Sequence, residues 1–209
     1  MIFIEIAEVI RLRLKEMVEI KLGTIVTRLR KNPYDVSIMC PTISMKQVSA
    51  FSDIQENDYE NLVTEIPKSQ LDSCVLSKEN DVVLGLTSHR SMVITSLDIN
   101  KLIPSNFVLL RPNRMFIDPF YLCWQLNEGH LAQDIKSQIQ GTTAVMAISI
   151  KSLSEYDFQL PMLEEQRLIG NIYRKHIERT KVYRHLLQEE NKYIHSLLNK
   201  KIGEIENEN

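Results

Sequence analysis

Two clusters of polar residues could do chemistry, and in both the chemistry is recognition of a polyanion rather than bond-making. Arg28, Arg30, Lys31 and Asn32 place three cations within four residues. Lysine and arginine neutralise phosphates, and an asparagine beside them can reach a base edge. A solvated helix end is the alternative reading. Thr87, Ser88, His89, Arg90 and Ser91 follow the apolar run Val82 to Leu86, so an arginine that could donate to guanine stands among short hydroxyls. An ordinary hairpin loop fits the same residues. Lys46 and Arg114 are isolated cations with the same potential.

Covalent chemistry finds little support. The glycines stand at 23, 85, 129, 141, 170 and 203, which form neither a G-x-G-x-x-G turn nor a phosphate-binding G-x-x-x-x-G-K-[ST] loop. His176, His185 and His195 are nine and ten apart, which does not bring them together on one helix face as metal ligands. Asn32-Pro33-Tyr34 lacks the second proline of the Asn-Pro-Pro-Tyr turn that grips a flipped base, and no glycine-rich cofactor strand precedes it. Asp118 followed by Asp134-Ile135-Lys136 is a loose version of a Mg²⁺-holding carboxylate set, but Asp118 before Pro119 reads as a helix cap. Cys40, Cys74 and Cys123 are odd in number and widely spaced, as reduced core thiols are. No catalytic residue, cofactor or metal is assigned.

The elements that must position the polar clusters fall into three regions. Phe3, Ile6, Ile10, Leu14 and Met17 have helical spacing, so residues 1–18 are expected to form an amphipathic helix. Residues 19–161 alternate short apolar runs with turn residues: strands are expected at Val36 to Met39, Asp81 to Leu84, Met92 to Thr95 and Phe107 to Leu110, and a helix begins near Asp118-Pro119. After Pro161 the chain has no proline, and residues 162–203 read as one long helix, leaving 204–209 as a flexible tail. Tyr183, Leu186, Leu187, Tyr193, Ile194, Leu197 and Leu198 form a continuous apolar stripe on that helix. The fold class is α+β: one mixed globular domain followed by a long C-terminal coiled-coil helix. A net charge of −2 means that any polyanion must meet a local patch. No stretch approaches the roughly 20 apolar residues of a membrane span, which suits a cytoplasmic protein.

The stretch QGTTAVMAISIKSLSEYDFQLPMLEEQRLIG, Gln140 to Gly170, resembles the junction between target-recognition domain and spacer helix in type I restriction-modification specificity subunits. The matching features are the loop Gly141-Thr142, the segment Ile148 to Leu153, a strand Phe158 to Pro161, and Glu165-Gln166 opening the helix. Upstream, Ile20 to Gly23, Ile43 to Lys46 and Leu76 to Leu84 resemble the domain's opening and two of its strands, with Glu79-Asn80 where the family usually has glycine.

The resemblance implies a non-catalytic protein that reads double-stranded DNA and delivers a DNA adenine methyltransferase subunit, and possibly a restriction subunit, to a bipartite target. It adds Gln140, Gly141, Thr142 and Thr143 as a third candidate DNA contact, since glycine permits close backbone approach to a phosphate. The family's full subunit carries two recognition domains and two spacer helices. One of each here implies a half subunit, expected to form a homodimer through antiparallel C-terminal helices and to read a two-fold target. The rival readings are a coiled-coil assembly adaptor and a silent half-subunit cassette.

Overall fold

The computed structural model describes residues 10–29, 34–51, 62–139 and 148–207. Its centre forms from the apolar runs that carry no charge. Val82–Gly85 (β5) and Ser91–Val93 (β6) are buried at every position, the mark of strands covered on both faces. With Val18–Leu22 (β2) and Phe107–Pro112 (β7) they make an antiparallel sheet of order β2-β7-β5-β6. The register sets Leu22 opposite Val108 and Gly85 opposite Phe107, so β2 and β5 both leave the sheet at the end where β7 begins.

Met45–Ala50 (α2) and Pro119–Asn127 (α3) pack on β5 and β6. The second of these starts as its sequence indicates: Asp118 Oδ1 accepts from the backbone N–H groups of Phe120 (2.9 Å) and Tyr121 (3.0 Å), and Pro119 fills the first turn. A side hairpin of Ser37–Pro41 (β3) and Val63–Pro67 (β4) closes a smaller cluster of Cys40, Ile66 and Leu102. The three cysteines are free, and burial pushes the Cys123 thiol up to about 12, which leaves it an inert core residue.

The amphipathic helix expected over residues 1–18 is not what residues 10–18 form. Ile10–Arg13 is a strand (β1), Leu14–Met17 a single helical turn (α1), and Val18 begins β2. The deciding signal is the alternation Ile10-Arg11-Leu12-Arg13-Leu14, a period of two that outweighs the three-and-four spacing. Residues 1–9 lie outside the described residues. Strand β1 pairs antiparallel with Asp157–Leu160 (β8), and Arg13 and Lys15 both reach Glu155, at 3.0 and 2.6 Å.

The turn into β5 explains a departure from the family pattern. Asn80 has φ 70°, the left-handed region that glycine favours and asparagine tolerates. Beside it Asp81, 1% exposed, accepts from Lys78 N at 2.7 Å and makes two 2.8 Å bonds to Arg111 Nε and Nη2. That fork ties the turn to β7, and the hydrogen bonds from Asp81 raise the Arg111 pKa.

Two shorter helices follow, His130–Ile139 (α4) and Ile150–Ser154 (α5), and then Leu163–Asn207 (α6), 45 residues long. The long helix appears where the sequence puts it, but it continues through Asn207, so the flexible tail expected from residue 204 is helical as far as 207. Acidic Glu204 and Glu206 are good helix formers and do not end the helix.

Asp81→Ala leaves a partly buried guanidinium without its carboxylate. The expected loss is about 3 kcal/mol of unfolding free energy, measured by denaturant titration, with Lys78→Ala close to neutral because Asp81 takes the Lys78 backbone N–H rather than its side chain.

Candidate nucleic-acid interface

One end of the central sheet gathers most of the described cationic candidates. Strand β5 runs into a tight hairpin in which Gly85 N donates to Arg90 O (2.9 Å) and His89 N to Gly85 O (3.0 Å). His89 takes φ 54°, a position open to few side chains, and Ser88 Oγ accepts from Arg90 N at 3.3 Å. Ser88 and His89 are therefore half-buried and fixed, while Thr87 and Arg90 are exposed at the tip. Lys46 joins them, exposed on α2, whose Met45 packs beside Gly85. On the other side of the sheet β2 leaves through Gly23 and Thr24 to the 3₁₀ turn Val26–Arg28, which carries Arg28 out into solvent from the same end.

The chain that follows the third candidate segment meets this hairpin. Ile148 N donates to Leu86 O (3.1 Å), so the chain that follows residues 140–147 is pinned to the hairpin. Gln140, Gly141, Thr142 and Thr143 themselves lie outside the described residues, as do Arg30, Lys31 and Asn32.

Two candidates are placed elsewhere. Arg114 is exposed at the opposite end of β7, in the turn whose Asn113 N donates to Met17 O (2.8 Å). Ser91 is fully buried: its N–H donates to Asn127 Oδ1 (2.8 Å), and Asn127 Nδ2 donates to Ser91 O (3.0 Å) and to the Tyr173 hydroxyl (2.9 Å). It holds α3 and α6 to the sheet. Burial raises the Tyr173 pKa, so its hydroxyl stays neutral. The two acids of the loose metal pattern are also engaged, Asp118 as the cap of α3 and Asp134 with the Tyr156 hydroxyl at 2.6 Å.

A basic concavity of about 580 Å³ on the sheet was not legible in the sequence. Lys21, Lys78 and Arg111 line it, three cations from three separate segments. Glu19 balances part of that charge, 2.7 Å from Lys21 Nζ and 3.6 Å from Arg111 Nη1, and the Lys21 contact lowers its pKa. Cross-strand pairing of Glu19 with Arg111 is the only signal that could have shown it, and it needs the register.

Helix α6 has two working faces. Gln166, Gly170, Tyr173, Ile177 and Thr180 are buried at spacings of four and three, and this face lies on α3. Farther along, Arg184 ties the helix to the domain, its Nη1 donating to Ala50 O at 3.1 Å. From His185 to Asn207 the helix runs on for about 35 Å, and from His185 to Ile202 no residue is buried. Tyr183, Leu186, Leu187, Tyr193, Ile194, Leu197 and Leu198 are all exposed, between 45 and 64%. Leu168, Ile172 and Val182, also exposed, extend that stripe back alongside the domain.

This arrangement has solved counterparts. A structure from work on complex assembly and conformational transition of the type I R-M system superposes on 94% of this chain, with a TM-score of 0.61 and 19% identity. The HsdS subunit from Thermoanaerobacter tengcongensis covers 85% of it, with a TM-score of 0.50 and 16% identity. The chain has the HsdS fold. It spans about half of the first of these proteins (49%) and 39% of the second. No protein-family model and no curated protein matches the sequence.

Within the HsdS fold, the segment Phe158 to Gly170 is a built joint. Gln166, 2% exposed, donates through Nε2 to Phe116 O (3.1 Å) and Pro161 O (3.0 Å), and its Oε1 accepts from Asp118 N (3.2 Å). One side chain thus fastens the turn before α3, the end of β8 and the first turn of α6. Gly170 follows one helical turn on. A Cβ there would land on Asp118 Oδ1 and lie 3.0 Å from Tyr121 N, so the absence of a side chain lets α6 rest on the cap of α3.

Gly170→Ala must displace the Asp118 carboxylate from the two N–H groups it caps. The expected cost is about 1–2 kcal/mol despite the better helix propensity of alanine, read as a fall in Tm. Gly203→Ala, at a position open within 4 Å, should raise stability slightly instead.

Proposed function

We propose that the chain is a recognition head and spacer helix of a type I restriction-modification specificity subunit, reading double-stranded DNA and acting through the catalysis of partner subunits. The observation that carries this reading is helix α6, fixed to the head by Gln166 and Gly170 and then running on past Arg184 for about 35 Å with an exposed apolar stripe. Most helical stability comes from packing an amphipathic face rather than from propensity, so the exposed stripe calls for another helix against it. A head held at a set angle on a stiff rod is what measuring between two half-sites demands, and the second head is supplied by a partner on the stripe.

Contact with DNA is assigned to the sheet end that carries Arg28, Lys46 and Arg90. Arg90 is exposed on a rigid hairpin, which suits a donor aimed at a base edge, whereas Lys46 and Arg28 suit phosphates. Ser88 and His89 serve as the frame of that hairpin. The methyltransferase subunit, with or without a restriction subunit, would dock along the paired helices.

The net charge of −2 and the length of the apolar stripe favour one rival, an assembly adaptor that reads no DNA. The two differ in a gel shift with mixed-sequence DNA, with and without the methyltransferase subunit.

The test is co-expression with that methyltransferase subunit and genome-wide mapping of methylated adenines. A two-part motif is expected. Arg90→Ala should lower affinity for the motif roughly 10- to 100-fold while relaxing one base position. Lys46→Ala should weaken binding evenly across sequences and flatten its salt dependence by about one ion. Methylation that is unchanged when the chain is omitted would remove the DNA-reading role.

A further inference from the structure

Asn106 stands at the middle of the sheet end that carries Arg28 and Arg90, and nothing in the fold requires an asparagine there. It belongs to the turn from Pro104 to Phe107, in which Phe107 N donates to Pro104 O at 3.0 Å. Its φ is negative, because among the described residues other than glycine only Asn80, His89 and Asn100 have a positive one. At this third turn position most residues would serve. The other asparagines of the described loops have a structural reason: Asn80 and Asn100 hold left-handed backbone at φ 70° and 58°, and Asn113 Oδ1 accepts from Met115 N at 3.1 Å. The Asn106 side chain is exposed, and its carboxamide has no hydrogen-bond partner among the described residues.

The backbone beneath that side chain is held on both flanks. Leu86 N donates to Asn106 O (3.0 Å), which ties the turn to the hairpin that carries Arg90. On the other side Gly23 N donates to Phe107 O (3.0 Å) and Thr24 N to Ile103 O (2.7 Å). A Cβ on Gly23 would overlap Pro104 O, so the exit of β2 lies directly against the turn. The carboxamide is left with only its own side-chain torsions to adjust, and little order is lost when it binds. Strand register then sets its distance from Arg90: Phe107 pairs with Gly85, and Gly85 N donates to Arg90 O at 2.9 Å. Two inter-strand steps are roughly 10 Å, the rise of about three base pairs.

We propose that Asn106 is a specificity-determining residue that reads one adenine in the major groove, in the same half-site as the base met by Arg90. A carboxamide matches adenine there: Oδ1 accepts from the N6 amino group while Nδ2 donates to N7, a donor and acceptor pair that no other base presents on that edge. The inference rests on the reading of this sheet end as the DNA interface, and it adds a residue and the base that residue discriminates. Arg28 and Lys46, on either side, would hold phosphates while Asn106 and Arg90 meet base edges between them.

The full chain and Asn106→Ala, each co-expressed with the methyltransferase subunit, are compared by genome-wide mapping of methylated adenines. Asn106→Ala should keep the two-part motif but lose the requirement for adenine at one position, within about four base pairs of the position that Arg90→Ala relaxes. Binding of the purified complexes to a duplex carrying the motif identifies the contact. Replacing that adenine with 7-deazaadenine, which lacks the N7 acceptor, should weaken the wild type about tenfold and Asn106→Ala less than about twofold. Asn106→Asp, which cannot donate to N7, should exchange adenine for cytosine at the same position. The Tm of Asn106→Ala should stay within about 1–2 °C of the wild type, so a change in the motif cannot come from unfolding. A motif retained base for base, an affinity loss that is uniform over all sequences, or an equal 7-deazaadenine effect in both proteins would each overturn the inference. A wild-type chain whose two-part motif survives Asn106→Ala unchanged overturns it and leaves the DNA-reading role standing, whereas a wild-type chain that directs no motif removes both.

Discussion

The close approach of helix α6 to the capped start of α3 is the contact on which the rest depends. Asp118 satisfies two backbone donors of α3, Gln166 satisfies three groups from two segments, and Gly170 gives up its side chain so that both can lie against one another. Behind them Tyr173 and Ile177 are buried, each contributing about 2 kcal/mol of apolar burial, and Asn127 links Tyr173 to the sheet. Polar bonds therefore set the angle of the helix, and apolar packing holds it there.

The second half of α6 is the opposite case. No side chain from His185 to Ile202 is buried, and its in-chain stabilisation comes from helix propensity and solvent-screened pairs such as Lys192 with Glu189, at 2.8 Å. Seven large apolar side chains in the same stretch would each gain from burial. The balance strongly favours a partner over solvent, and the domain-facing and outward-facing stripes are separate enough that both can be filled at once.

How much could be seen without coordinates depended on how local each cause is. The long helix, the cap at Asp118, the strands near Val82 and Phe107 and the outward stripe on α6 all follow from runs of neighbouring residues, and all are present. The fold class was legible for the same reason. Residues 10–18 were misread because Ile10, Leu14 and Met17 satisfy a helical period while Ile10, Leu12 and Leu14 satisfy a strand period, and only the partner strand β8 decides between them. Ser91 looked like part of a polar loop, but Asn127, distant in sequence, makes it a core residue. The grouping of Arg28, Lys46 and Arg90 at one end of the sheet, with Arg114 at the other, follows from strand register, which no local pattern reveals. The Lys21, Lys78 and Arg111 concavity was hidden for the same cause.

The pairing of β1 with β8 has a consequence for how such a head can change. Residues 10–13 and 157–160 lie side by side in one two-stranded ladder, immediately before the rod begins. That ladder is clamped by Arg13 and Lys15 on Glu155 and forms a neck beside the start of α6. Segments between those two strands that carry none of Phe116, Asp118 and Asn127 can change without touching the contacts that set how α6 points. Such a head is free to drift in those loops while the neck and the seat of α6 stay unchanged.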